Sequence, residues 1–232
     1  MRTIKNLVVL TGAGISAESG LKTFRDSNGL WENHRVEDVA TPEAWQRNPD
    51  MVQRFYNARR KAAAEAKPNL AHKTLANLER YFNVKVITQN VDDLHERGGS
   101  SSVLHLHGRL RNVRSENNAD LIYDIGHKEI YMGDLAEDGF QLRPDIVWFG
   151  EPVPMIEPAI EICEKADLFM VVGTSLQVYP AAGLIHYCRP GIPIFLVDRK
   201  LPGVNLPSNI VFHEGAAAEV LPSIFEILIE LA

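Results

Sequence analysis

Seven short apolar runs constrain the fold of this chain more than any other feature. They are "NLVVLTG" (6–12), "VKVITQN" (84–90), "SVLHLHG" (102–108), "DIVWFGE" (145–151), "DLFMVVGTS" (167–175), "IPIFLVD" (192–198) and "NIVFHEG" (209–215), bounded by Gly, Asn, Asp or Thr. Their β-branched content and continuous apolar character suit strands buried on both faces of a parallel sheet. Helical patterns at 42–66, 69–82, 154–166, 180–189 and 217–231 lie between several of them. The alternation predicts an α/β fold, a Rossmann-like doubly wound parallel sheet with ligands at the C-terminal ends of its strands. Two stretches interrupt it: 30–80, helical without a strand, and 109–142, polar and irregular. They are expected to build a smaller domain (30–80 with 109–142) beside a nucleotide-binding one (1–29, 81–108 and 143–232).

Composition narrows the function classes. The 232 residues, 45% of them hydrophobic, suffice for one large core or a core with a satellite. A net charge of −6, with no Lys/Arg run long enough to neutralise a line of phosphates, argues against nucleic acid as a partner. Only four apolar residues, Leu7 to Leu10, follow the basic start, too few for a signal peptide, and no later run is long enough for a membrane span. Two cysteines, Cys163 and Cys188, read as small buried hydrophobes and offer neither a disulfide framework nor a cysteine metal site. A cytoplasmic monomer is the expectation.

The first run leads directly into "TGAGISAESG" (11–20), where Gly12, Gly14 and Ala17 stand in the G-x-G-x-x-G/A arrangement. Small residues there let backbone approach a pyrophosphate. A dehydrogenase would next show a second strand and an acid about 20 positions on to hold the ribose. Here a charged loop, "LKTFRDSNGLWENH" (21–34), follows, and the acid at a strand end is Asp198 in "FLVDRK". A nucleotide fold is indicated; hydride-transfer wiring is not.

Two further features carry chemistry. In "HLHG" (105–108), strand alternation sends His105 and His107 to one face, so spacing leaves the choice of a general base open. In "MVQRFYNARRK" (51–61), Tyr56 and Arg59 stand three apart on one helix face, a spacing that also occurs as plain surface decoration. Arg60 and Lys61 point elsewhere and read as solvated charges.

Taken together, "GAGISAESGLKTFRDSNGLW" (12–31), "TQNVDDLHERGG" (88–99), "LHG" (106–108), "RPDIVWFGE" (143–151) and "GTSLQVYPAAGL" (173–184) resemble the sirtuins, NAD-dependent protein lysine deacylases, and their bacterial members in particular. The resemblance spans nearly the whole chain. It implies that NAD, consumed as co-substrate, and an acylated-lysine protein enter one cleft from opposite ends. For NAD it implies Gly12, Ala13, Gly14, Ile15, Ala17, Glu18, Phe24, Arg25, Asp26, Trp31, Gln89, Asn90, Val91, Asp92, Gly173, Thr174, Ser175, Asp198 and Ala216. It implies catalytic roles for Asn90 and Asp92 at the nicotinamide ribose, and for His107 as the base that lets the acyl group migrate to the sugar. The products would be deacylated lysine, nicotinamide and O-acyl-ADP-ribose. Substrate would lie along Val147, Trp148, Phe149, Gly150, Glu151 and Val178 as an added strand. In the branch that removes succinyl and malonyl groups, a Tyr and an Arg three apart meet the distal carboxylate, and Tyr56 and Arg59 match that pattern. Rival readings are an ADP-ribosyltransferase or NAD glycohydrolase, and a non-catalytic binding module.

The chain departs from the sirtuin pattern twice. Residues 109–142 contain none of the four cysteines that hold zinc in most members. No zinc is expected, and contacts from Tyr123, Ile125, Ile130, Tyr131, Leu135 and Phe140 would replace it. Asp198 stands where asparagine is more usual; its carboxylate suits a ribose diol and would repel a 2′-phosphate, so NAD is expected over NADP.

Overall fold

The computed structural model describes residues 4–22, 30, 31 and 33–232. In chain order the elements are β1 (Asn6–Thr11), α1 (Gly14–Ala17), β2 (Leu30–Trp31), β3 (His34–Arg35), α2 (Val36–Val39), α3 (Pro42–Arg47), α4 (Pro49–Glu65) and α5 (Leu70–Leu78). Then come β4 (Asn83–Thr88), α6 (Leu94–Gly98), β5 (Val103–His105), β6 (Gly108–Ser115), β7 (Ile122–Asp124) and β8 (Leu142–Ile146). The chain closes with α7 (Ile156–Glu164), β9 (Leu168–Val172), a 3-10 helix (Ala181–Tyr187), β10 (Ile194–Asp198), β11 (Ile210–Glu214), α8 (Ala217–Ser223) and α9 (Phe225–Glu230).

The expected parallel sheet is present, with six strands in the order β11-β10-β9-β1-β4-β5. β1 lies at its centre, Leu7 opposite Val84 on one side and Leu168 on the other. Alternate residues of β1 enter different cores. Leu7 and Val9 pack with Val86, Met170 and Val172 beneath α5, α8 and α9, while Val8 and Leu10 pack with Ile87, Phe169 and Val171 beneath α7 and the 3-10 helix. Burial on both faces explains why the strands read as unbroken apolar runs. Among the described residues, no helix is long and apolar enough to cross a membrane.

The smaller unit is more ordered than its sequence suggests. Residues 109–142 and their flanks form a three-stranded antiparallel sheet, β7-β6-β8, against which α2, α3 and α4 bury Trp45, Val52, Phe55, Tyr56, Leu110, Ile146 and Trp148. "DIVWFGE" is therefore no strand of the parallel sheet: pairing runs through Gly108 and Ile146 in the small one and stops there. Helix α5, assigned by sequence to the small domain, instead puts Ala71, Leu75 and Leu78 under the parallel sheet. The single helix expected over 42–66 is two, because the Asn48 side chain accepts from Met51 N at 3.1 Å and restarts the chain at Pro49.

The hydrophobic contacts expected to hold the insertion together are made only in part, with Tyr123 and Ile125 half-buried. Ile130 is buried, but Tyr131, Leu135 and Phe140 are exposed. Polar side chains make the clasp instead. Gln141 Nε2 donates to the carbonyls of Tyr131 and Asp134, at 3.0 and 3.1 Å, and its Oε1 accepts from Gly133 N at 2.7 Å. Asn57 grips Ile130 at both backbone groups, donating to its carbonyl at 2.8 Å and accepting from its amide at 3.2 Å. Arg60, read as a solvated charge, is fully buried: Nε donates to Leu110 O and Nη1 to Asn57 Oδ1, both at 2.7 Å. Burial lowers its pKa to about 10, leaving it charged at neutral pH.

Candidate functional site

A cavity of about 760 Å³ opens at the C-terminal ends of β1, β4, β9 and β10 and continues to the small unit. Its first wall is the glycine turn. Gly12 N donates to Val172 O at 3.0 Å and Gly14 N to Gly173 O at 2.9 Å, locking the turn against the loop after β9. A Cβ on Gly14 would lie 2.7 Å from Gly173 Cα, and Gly173 itself has φ +62°, so both must be glycine for the turns to interlock. Ala13, Ala17, Thr174 and Ser175 line the same wall, with Asp198 and Ala216 at the ends of β10 and β11. Ser175 Oγ is buried without a hydrogen-bond partner. An orphan hydroxyl, close-packed glycine backbone and a carboxylate for a diol together fit a dinucleotide.

The middle of the cavity is lined by the loop after β4 and by His107. Asn90 Nδ2 donates to Gly12 O and Ser16 Oγ, each at 3.1 Å, so both amide hydrogens are committed and Oδ1 remains for a ligand. Asp92 Oδ1 accepts from Leu94 N at 3.1 Å; burial raises its carboxyl pKa, partly offset by that bond and one from Ser16. Gln89 Nε2 donates to Thr174 Oγ1 at 3.1 Å.

The two histidines that alternation placed on one face separate. β5 ends at His105, and Leu106 and His107 form a turn. Gly108 makes that turn possible: its φ is +80°, and a Cβ there would meet Asp145 O at 2.0 Å. His107 thus lines the large cavity, whereas His105 lines a second one. His107 Nδ1 is 3.1 Å from Gln89 O, an acceptor, so Nδ1 carries the hydrogen and Nε2 keeps a lone pair. Burial lowers its pKa, with the Gln89 bond opposing, and the ring is neutral at physiological pH.

The far end belongs to the small unit. Tyr56 is fully buried, its hydroxyl accepts from Trp148 Nε1 at 3.0 Å, and burial pushes its pKa up to about 12, so the phenol remains a neutral donor. Arg59 also lines the cavity, its guanidinium 4.4 Å from the Trp31 ring centroid. Trp148 serves both core and site: it is buried, yet lines the cavity with Val147, Phe149, Gly150, Glu151 and Val178. The edge expected to pair with substrate is partly occupied. The amides of Val147, Phe149 and Glu151 donate to His107 O, Ala40 O and Trp148 O, each at 3.0 Å, and Trp148 N donates to Glu151 Oε2 at 2.7 Å.

Trp31 and Val91 line the cavity too. Ile15 and Glu18 do not: the Ile15 side chain sits in the core, and Glu18 Oε2 accepts from Ala218 N at 2.8 Å, capping α8. Phe24, Arg25 and Asp26 lie outside the described residues. Sequence reasoning missed Ser16, which orients Asn90, and the stretch Arg199 to Gly203, which lines the cavity beyond Asp198. Its position just past a strand's C-terminal end was the available signal.

Comparison with known proteins gives a consistent result. The family model described as "Sir2 family" matches residues 12–180. A protein of Helicobacter pylori (strain ATCC 700392 / 26695) named NAD-dependent protein deacylase is 52% identical over 229 residues, covering 99% of this chain and 100% of the relative. One of the same name from Bacteroides thetaiotaomicron is 54% identical, covering 97% of this chain and 99% of its own length. Among solved structures, a Sir2 homolog–NAD complex superposes with a TM-score of 0.87 at 38% identity, covering 98% of this chain and 91% of the other.

Proposed function

The chain belongs to the Sir2 family, and from that premise we propose that it is an NAD-dependent protein lysine deacylase that removes succinyl and malonyl as well as acetyl groups. The observation that carries the acyl preference is the presence of Tyr56 and Arg59 in the cavity that also holds His107. A guanidinium offers a charge-assisted, bidentate contact to a terminal carboxylate, and the Tyr56 hydroxyl, accepting from Trp148, keeps its own hydrogen to donate. A short acetyl group leaves that end to water and is not excluded.

NAD, when bound, supplies a ribose carbon that becomes electrophilic as nicotinamide departs. Asn90 Oδ1 and the Asp92 carboxylate face the positive charge that develops there, and Asn90 is fixed beforehand by its bonds to Gly12 and Ser16. His107 accepts the ribose hydroxyl proton at Nε2 while Nδ1 stays anchored to Gln89 O. Thr174 and Ser175 hold the phosphates with the glycine turn, and Asp198 takes the adenosine ribose diol, which favours NAD over NADP. The polar clasp of Asn57, Arg60 and Gln141 supports a small domain that folds without zinc.

Mass spectrometry of one reaction on a succinyl-lysine peptide tests the reading. Nicotinamide and O-succinyl-ADP-ribose in equal amounts are expected; ADP-ribose with the peptide unchanged would indicate a glycohydrolase instead.

A further inference from the structure

Behind the loop that carries Asn90 and Asp92 lies a second cavity of about 360 Å³, lined by Val91, Asp92, Glu96, His105 and Arg109 among others. Val91 and Asp92 line both cavities, so this loop is the partition between them. His105 supports it from behind. Its Nδ1 lies 2.9 Å from Asn90 O and its Nε2 2.9 Å from Glu96 Oε1, with the ring buried.

A peptide carbonyl can only accept. A carboxylate also only accepts, and Glu96 is held ionised: burial opposes it, but the bond and charge of His105 bring its pKa below the usual carboxylate range. Both ring nitrogens therefore face acceptors, which only the imidazolium satisfies. The titratable groups around the ring are Glu96 from α6, Arg109 from β6, whose Nη2 is 3.4 Å from the same Glu96 oxygen, Asp92 on the loop, and the buried His95 on α6, which burial keeps neutral; Asp93, Arg97, Arg111 and Asp124 line the same cavity.

We propose that His105 is a doubly protonated positioning residue for cleavage of the nicotinamide–ribose bond, acting through the Asn90 carbonyl and the Asp92 carboxylate. This rests on the deacylase reading above. The imidazolium fixes the peptide that orients the Asn90 side chain and favours the ionised form of a buried Asp92, and both groups must be in place when ribose charge develops.

Two measurements on the full chain test it. Long-range proton–nitrogen correlation spectra near neutral pH should show both His105 nitrogens protonated, and Glu96→Gln should move the ring toward a neutral tautomer; a neutral ring in the parent protein overturns the proposal. Steady-state kinetics should show that His105→Gln, which keeps a donor but loses the charge, lowers kcat/KM for NAD by about tenfold or more while KM for the acyl peptide is unchanged. Glu96→Gln should act in the same direction. A His105→Gln protein that melts lower but keeps kcat/KM for NAD reduces His105 to a structural residue and overturns the role. Absence of NAD-dependent deacylation in the parent protein would defeat the deacylase reading, while the spectra would still report the state of the ring.

Discussion

Arg59 stacks its guanidinium over Trp31 and lines the cavity beside Tyr56, and on the proposed function its removal is expected to separate two substrate classes. Arg59→Met is expected to lower kcat/KM on a succinyl-lysine peptide by about 10- to 150-fold, the equivalent of a charge-assisted bond of about 1.5–3 kcal/mol, and to leave acetyl-lysine nearly unchanged. Equal losses on both substrates would return the pair to a structural role. As the proposed base, His107 is expected to set the pH profile. A base must be unprotonated, and burial holds its pKa below the usual 6.5; the acid limb of kcat/KM should therefore fall below about pH 6.5. Rates that decline already above pH 7 would show that another group limits. The site was legible where a motif fixes a backbone position, as in the Gly12 to Ala17 turn. It was not legible where burial decides: Arg60 neighbours Arg59 in sequence, yet one is a buried strut and the other lines the cavity.

Helix α4 carries a polar stripe that ties the small unit together. Gln53, Asn57 and Arg60 stand at i, i+4 and i+7 and donate to the carbonyls of Leu142, Ile130 and Leu110, tying the helix to both long strands of the small sheet and to the loop between them. Asn57→Ala deletes both contacts to Ile130 and takes the partner from Arg60 Nη1, leaving Arg60 only its bond to Leu110 O. A loss of about 2–3 kcal/mol is expected, read as a melting temperature lowered by about 4–12 °C. An unchanged melting curve would mean the clasp carries no stability. The sequence pattern hid this element because glutamine, asparagine and arginine at helical spacing ordinarily mark a solvated face. The parallel strands were legible for the opposite reason, since burial on both faces leaves an apolar run that little else produces. "DIVWFGE" shows the limit of that signal: only Ile146 and Trp148 of it are buried, in the core of the small unit, and Phe149 is exposed.

Across the whole molecule, two buried histidines couple stability to pH. His72 and His95 pack ring to ring with centroids 5.0 Å apart, and burial lowers their pKa values to about 4 and about 3. Unfolded, both titrate near 6.5. Their contribution is thus fully present above pH 6.5 and is lost as the unfolded chain takes up protons that the folded one refuses. For His72 the loss amounts to about 3 kcal/mol by pH 4. Chemical denaturation between pH 7 and pH 4 should show that decline, and His72→Gln should flatten it; an unaltered slope in the variant would place the acid sensitivity elsewhere. The proposed activity joins both units, with the glycine turn and His107 at the ends of the parallel strands and Tyr56 and Arg59 on the small one. One peptide carrying acetyl, malonyl or succinyl lysine, assayed with NAD in parallel for rate and product mass, probes that joint site directly. All three should be removed, each yielding nicotinamide and the matching O-acyl-ADP-ribose, with Arg59→Met selectively impairing the two acidic groups. Removal of acetyl alone, or acidic deacylation indifferent to Arg59, would contradict it.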